Sequence, residues 1–142
     1  MTQTYSNELA VTQTTTPDVP SATAGYGARL HRYRATITLA SQASGDTIVL
    51  ANIPAGNSFA FGVVTASASL STSTFAIGNS TTAGKYRADA VSTAVNAPAL
   101  FGLAAAASGV QSAAGEQVLL TAGTATFPSS GTLVIDLYFS GP

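Results

Sequence analysis

The chain has 142 residues, a net charge of −1 and no cysteine, and only 8% of it is Asp, Glu, Lys or Arg. That length is one domain, able to withdraw roughly two-thirds of its unfolded surface from water. The charged fraction is far below the ~25% of an average soluble domain, and a net charge of −1 gives no global field to gather nucleic acid or an anionic membrane. Disulfides and thiol catalysis are excluded. With little charge repulsion between copies, close packing against other copies or a partner is expected.

The chain opens on MTQTYSNELAVTQ, which lacks the basic region and apolar core of a signal peptide. No stretch reaches the ~18 apolar residues of a membrane helix. A protein made and used without Sec export, with no membrane partner, is expected. Residues 1–28 read as an extended N-terminal arm. The run TQTTTPDVPSATAGYG mixes threonines with Pro17, Pro20, Gly25 and Gly27 in no sustained period, so it can extend but can hardly build a core. It is either a disordered tail or a segment laid on a neighbour. The second reading makes Thr14, Thr15, Thr16, Pro17, Pro20 and Tyr26 candidate contacts.

From residue 29 the pattern is β. RYRATITLA alternates, with Tyr33, Ala35, Ile37 and Leu39 on one face and Arg34, Thr36 and Thr38 on the other, the period-2 mark of a half-buried strand. SQASGD turns the chain and TIVLANI (47–53) is a second strand. Pro54-Ala55-Gly56-Asn57 is a turn. In SFAFGVVTASASL, Phe59, Phe61, Val63, Thr65, Ser67 and Ser69 alternate against Ala60, Gly62, Val64, Ala66 and Ala68. STFAIGN and RADAVSTAV are further strands. ALFGLAAAASGVQSAA (99–114) reads as strand then loop, with a one-turn helix as the alternative because four alanines favour helix. EQVLLTAGTATF and GTLVIDLYFS close the chain around Pro128-Ser129-Ser130-Gly131. About eight short strands separated by turns give an all-β, antiparallel β-sandwich or jelly roll over residues 29–142.

Few residues suggest chemistry. GNSTTAGKYRADA (78–90) has the look of a phosphate loop and fails as one. Five residues rather than four precede Gly84-Lys85, Tyr86 stands where Ser or Thr would hold magnesium, and a strand follows instead of a helix. It reads as a hairpin loop, with Gly84 at positive φ and Lys85 solvated. His31 is the sole histidine, without a second at metal-ligand spacing. No G-x-S-x-G elbow supports a nucleophile, and no paired acids sit beside an aromatic platform. No catalytic residue, metal or cofactor is expected. Three of the five cations fall in RLHRYR: Arg29, Arg32 and Arg34. Too small a patch for nucleic acid, they either guard the first strand against edge pairing or meet carboxylates of a neighbouring subunit or scaffold. Asp136, in LVIDLYF, alternates onto the face opposite Leu133, Ile135, Leu137 and Phe139, where it faces solvent or pairs across an interface.

Three runs carry a resemblance: TIVLANIPAGNSFAFGVV, STFAIGNSTTAGKYRADAVSTA and EQVLLTAGTATFPSSGTLVIDLYF. With their IPAG turn, AIG…KY segment and GTLVIDL strand, residues 46–140 resemble the head decoration, or cement, proteins of tailed bacteriophages. The resemblance implies a β-sandwich or jelly roll that forms homotrimers on the capsid surface of the virion and braces the major capsid protein. It offers no catalytic residues to carry over. Two other classes fit the same composition: another virion part, such as a tail-tube or small jelly-roll capsid subunit, and a surface-binding adhesin or fibre module. The adhesin would draw on Tyr26, Tyr33 and Tyr86 as its aromatics outside the core.

Overall fold

A computed structural model describes residues 28–108 and 112–142. Thr14, Thr15, Thr16, Pro17, Pro20 and Tyr26 lie outside the described residues. Eight strands follow one another: β1 (Arg29–Thr38), β2 (Thr47–Ile53), β3 (Ser58–Ala66), β4 (Thr74–Gly78), β5 (Arg87–Val91), β6 (Ala99–Phe101), β7 (Glu116–Ala122) and β8 (Thr132–Gly141). Pairing is nested. β1 pairs with β8, β2 with β7, β3 with β6 and β4 with β5, every pair antiparallel. This long folded hairpin rolls into two sheets, ordered β1-β8-β3-β6 and β2-β7-β4-β5. That is the strand order of a jelly roll, the fold class the alternation and turn spacing predict.

The hydrophobic core lies between the sheets. Ile37 and Leu39 of β1, Val118 and Leu120 of β7, Phe75 and Ile77 of β4, and Leu133, Ile135, Leu137 and Phe139 of β8 are all buried. Their period of two follows from the pleat, which sends alternate side chains to opposite faces. Phe59, at the centre, meets Tyr86 at 4.5 Å and Phe139 at 5.4 Å; packed aromatic pairs of this kind add to simple burial. Tyr86 is therefore a core residue, 2% exposed, and not the outlying aromatic that a binding module would need.

Two β-bulges depart from plain alternation. In β2 the register slips between Val49 and Ala51, so Ile48, Leu50, Ala51 and Ile53 all serve the core. In β3 it slips between Phe59 and Phe61. The sequence pattern placed Phe59, Phe61, Val63 and Thr65 on one face; the extra residue, Ala60, divides them. Phe59 points inward, and from Phe61 onward the parity is reversed, with Gly62, Val64 and Ala66 buried and Phe61 37% exposed. One unpaired residue is enough to flip every side chain beyond it.

Turns hold as expected in most places. Gly56 of the Pro54–Asn57 turn takes φ 86° and Gly45 of the first turn φ 91°. After β6 the chain makes a hydrogen-bonded turn, with the Ala106 and Ala107 amides donating to the Leu103 carbonyl, so the segment is strand then loop, with no helix among the described residues. Gly84 is a correction, since it is not among the residues at positive φ. The β4–β5 loop is instead shaped by Asn79, whose Oδ1 accepts the amides of Thr81 and Thr82, an Asx turn that needs no left-handed residue.

Candidate contact surface

The bulge in β3 builds the most distinctive surface of the molecule. On the outer face of the β1-β8-β3-β6 sheet, cross-strand register aligns Arg32 with Tyr138 and Tyr138 with Phe61. The next row runs Arg34, Asp136, Val63 and Leu100. The Tyr138 and Phe61 rings stack at 4.5 Å with 15° between their planes. Leu100 is 77% exposed, and a shallow apolar groove of about 450 Å³ runs between Ala60, Phe61, Leu100, Phe101 and Gly102. The face therefore grades from basic at the β1 edge, through aromatic, to apolar at the β6 edge.

Arg34 and Asp136 lock its centre. The guanidinium donates to the carboxylate from Nε at 2.8 Å and from Nη2 at 2.7 Å, the planar fork that makes Arg the partner of choice for a carboxylate. These hydrogen bonds outweigh the opposing effect of burial and hold the Asp136 pKa below its ordinary value, while Asp136 raises that of Arg34. Asp136 is only 8% exposed, so it is not the solvent-facing acid that alternation allowed. It pairs inside its own sheet. Arg29 and Arg32, by contrast, are exposed, and His31 lies with Nε2 3.3 Å from the Pro142 carbonyl oxygen.

The four edges of the two sheets differ. β1 carries its cations along one edge. At the β5 edge, Arg87 sits 4.0 Å over the Phe75 ring and donates to the carbonyls of Phe75, Ala90 and Val91. Burial lowers its pKa, and Asp89 only partly offsets that. Both devices blunt an edge against strand addition. β6, three residues long, presents Leu100 instead.

Lys85 is the second correction. Rather than standing in solvent it donates to both oxygens of Glu116, at 3.0 and 2.8 Å, while Asn79 Nδ2 donates to Oε1 at 2.9 Å and the Tyr86 hydroxyl donates as well. Burial works to raise the Glu116 pKa; these donors more than reverse it, so the carboxyl ends below its usual range. Tyr86 is pushed far up, by burial first and then by Glu116. A carboxylate occupied by three donors is a tie between the β4–β5 loop and β7, not a free base. Beside it lies a cavity of about 210 Å³ walled by Ile53, Phe59, Tyr86 and Phe139. No group of three His, Cys, Asp or Glu side chains able to hold a metal occurs among the described residues.

Of the candidate contacts read from the sequence, Arg29, Arg32 and Arg34 fall on one strand, and Arg32 and Arg34 share one face of it. Phe61, Tyr138 and Leu100 were missed. The signal available was Phe59-Ala60-Phe61-Gly62: a core strand with two aromatics two apart and a glycine where the core face should be filled is a place to suspect a bulge.

No protein-family model matches the chain, and no curated protein matches it. Its fold does have counterparts among solved structures. A chain of the cyanophage Pam1 capsid asymmetric unit superposes with a TM-score of 0.67 at 14% identity, over 100% of both chains. A chain of the capsid of Ralstonia phage GP4 gives 0.65 at 16%, over 87% of this chain and 89% of that one. A chain of the acid-stable capsid of Helicobacter pylori bacteriophage KHP30 gives 0.59 at 11%, over 80% and 88%. The likeness is one of fold: this chain is a jelly roll that shares its architecture with a component of each of three phage capsids.

Proposed function

We propose that the protein is a structural part of a phage virion, a decoration or cement protein that binds the outside of the head and braces the lattice of the major capsid protein. The observation that carries this reading is the reciprocal coverage of the fold matches. The counterparts are about as long as this chain, and each is a chain of a phage capsid structure. The surface is consistent with a part that works by being held in place. An aromatic and apolar strip, Phe61, Tyr138 and Leu100, lies beside Arg32, which is exposed and enters no ion pair among the described residues. The protein acts as a homotrimer without enzymatic activity. Its arm, residues 1–28, adds contact area through Thr14, Thr15, Thr16, Pro17, Pro20 and Tyr26, while Arg29, Arg32 and Arg34 meet acidic groups of the shell or of a neighbouring copy. Repetition over a lattice offsets the entropy of ordering such an arm.

The test is retention on purified heads. Full-length protein should co-sediment with heads that lack it and add density at three-fold positions by electron microscopy, and light scattering should give a trimer. Deleting residues 1–28 should leave the domain folded and abolish retention. Normal retention of the truncated protein would refute the role of the arm; no retention of the full chain would refute the decoration reading. The jelly-roll order also favours a second reading, a small shell subunit. That protein would assemble into closed particles by itself.

A further inference from the structure

β5 and β6 are edge strands of the two sheets and bound one flank of the sandwich. The Leu103 amide donates to the Tyr86 carbonyl at one end of that flank, and residues 92–98 join the two strands at the other. Residues 93–100 are all exposed, as are residues 88–91 on β5. Val91, Val95, Leu100 and Leu103 stand out from this flank, and Phe61 borders Leu100 in the apolar groove. Among the described residues, Leu30 and Val49 are the only other large apolar side chains left exposed. Apolar exposure gathered in one place in this way marks an interface.

The flank is also nearly without charge. No Lys, Arg, Asp or Glu occurs between Asp89 and Glu116. The two charges of β5 are held over their own sheet. Arg87 lies over the Phe75 ring of β4 and donates to the carbonyls of Ala90 and Val91. Asp89 accepts from Thr74 Oγ1 at 2.9 Å, and its carboxylate lies where a Cβ on Gly123 would collide with it.

We propose that this flank is where copies of the chain meet, lining the axis of the homotrimer. The inference rests on the trimeric reading of the function and supplies its interface. Residues that line a rotation axis stand near their own equivalents in the neighbouring copies. A charge placed there faces its like and is repelled, so a surface that presents neither sign is the one suited to meeting itself. The β1 edge, with Arg29 and Arg32 exposed, is not. A charged partner would be desolvated against the flank with no counter-charge to receive it. Interfaces between identical chains are correspondingly poor in charge at their centre and rich in apolar surface. Ala94, Ala97 and Ala99, exposed between the larger side chains, let neighbouring backbones approach. Contact is through side chains, because Arg87 already occupies carbonyls that a strand added at β5 would need.

The test uses the full chain, with light scattering and sedimentation equilibrium over a range of concentrations. The unaltered protein should be a trimer. Val95→Glu and Val95→Lys should each be monomeric, with the core methyl signals of Leu120 and Ile135 unshifted, and an equimolar mixture of the two should re-form the oligomer as opposite charges meet. Leu103→Glu, at the other end of the flank, should also dissociate it, and Arg32→Glu should not. A trimer that persists in Val95→Glu and Leu103→Glu would overturn the proposal and leave the trimer to another surface. Two monomeric Val95 variants that fail to recombine would overturn it as well, by showing that Val95 does not meet its equivalent. An unaltered chain that stays monomeric at every concentration would refute the trimeric reading itself, and the interface with it.

Discussion

Replacing Glu116 by Gln tests whether the Lys85–Glu116 tie holds the end of the roll together. The Glu116 side chain is 11% exposed and that of Lys85 37%. Gln keeps the shape but presents an amide where the donors of Lys85, Asn79 and Tyr86 converge, so at least one buried donor loses its acceptor. An orphaned buried donor costs ~1–3 kcal/mol, and breaking a fully buried ion pair costs ~3–5 kcal/mol. Lys85 is more than a third exposed and its ammonium can return to water, which discounts the second figure heavily. The expected loss is about 2 kcal/mol, or roughly 6–10 °C in Tm for a domain of this size. Calorimetry across pH sharpens the test. The folded pKa of Glu116 lies below its unfolded value, so the stabilisation is complete above the unfolded carboxylate range and is lost as pH falls through the folded value. Wild type and variant should differ most near neutrality and converge in acid. A difference below about 2 °C at neutral pH, or one as large near pH 3 as near pH 7, would refute the reasoning.

Three other substitutions probe other parts of the structure. At Gly62 an added Cβ would lie 2.1 Å from Cζ of Phe101, so Gly62→Ala must push that ring and the short strand β6 away; a loss of ~1–3 kcal/mol in urea unfolding is expected, with altered amide shifts at Leu100. Ile135, fully buried on β8, should cost ~2–5 kcal/mol as Ala, read as a lower denaturant midpoint at constant slope. Leu100→Lys, at the most exposed large apolar residue, should change stability by no more than ~0.5 kcal/mol while weakening co-sedimentation with heads. Unchanged retention would remove the β6 groove from the contact surface.

How much of this was legible in the sequence depends on the range of the interactions. β1 and β8 were readable because each is a ten-residue run with one apolar face, Ile37 in β1 and Leu133, Ile135, Leu137 and Phe139 in β8, and a buried face leaves one register open. The Pro54–Asn57 turn was readable because glycine's tolerance of positive φ is a local property. The β3 face was not, since a bulge is set by what the partner strand offers: Ala60 is the extra residue only because Phe59 pairs with Phe139 and Phe61 with Tyr138, and those partners are about eighty positions away. Lys85 was misread for a related reason. Its neighbours in sequence describe an exposed loop, and the acid that holds it starts a strand thirty-one residues on.

The nesting of the strands explains why the contact surface took shape where it did. A jelly roll closes its first and last strands side by side, so β1, where the arm ends, is always flanked by β8. Asp136 of β8 pairs with Arg34, while Arg32, one row nearer the start of β1, enters no ion pair among the described residues, and the β3 bulge carries Phe61 into line with it through Tyr138. Two features far apart in sequence, a cation run at residue 29 and an irregularity at residue 60, thus become one surface only through the strand that pairs with both. Mutations at Tyr138 should accordingly couple to mutations at both Arg32 and Phe61, whereas Arg32 and Phe61, with β8 between them, should couple to each other only while the tyrosine ring is present. A double-mutant cycle on head retention that gave additive effects for Tyr138 with each neighbour would show that the row is three separate contacts and not one site.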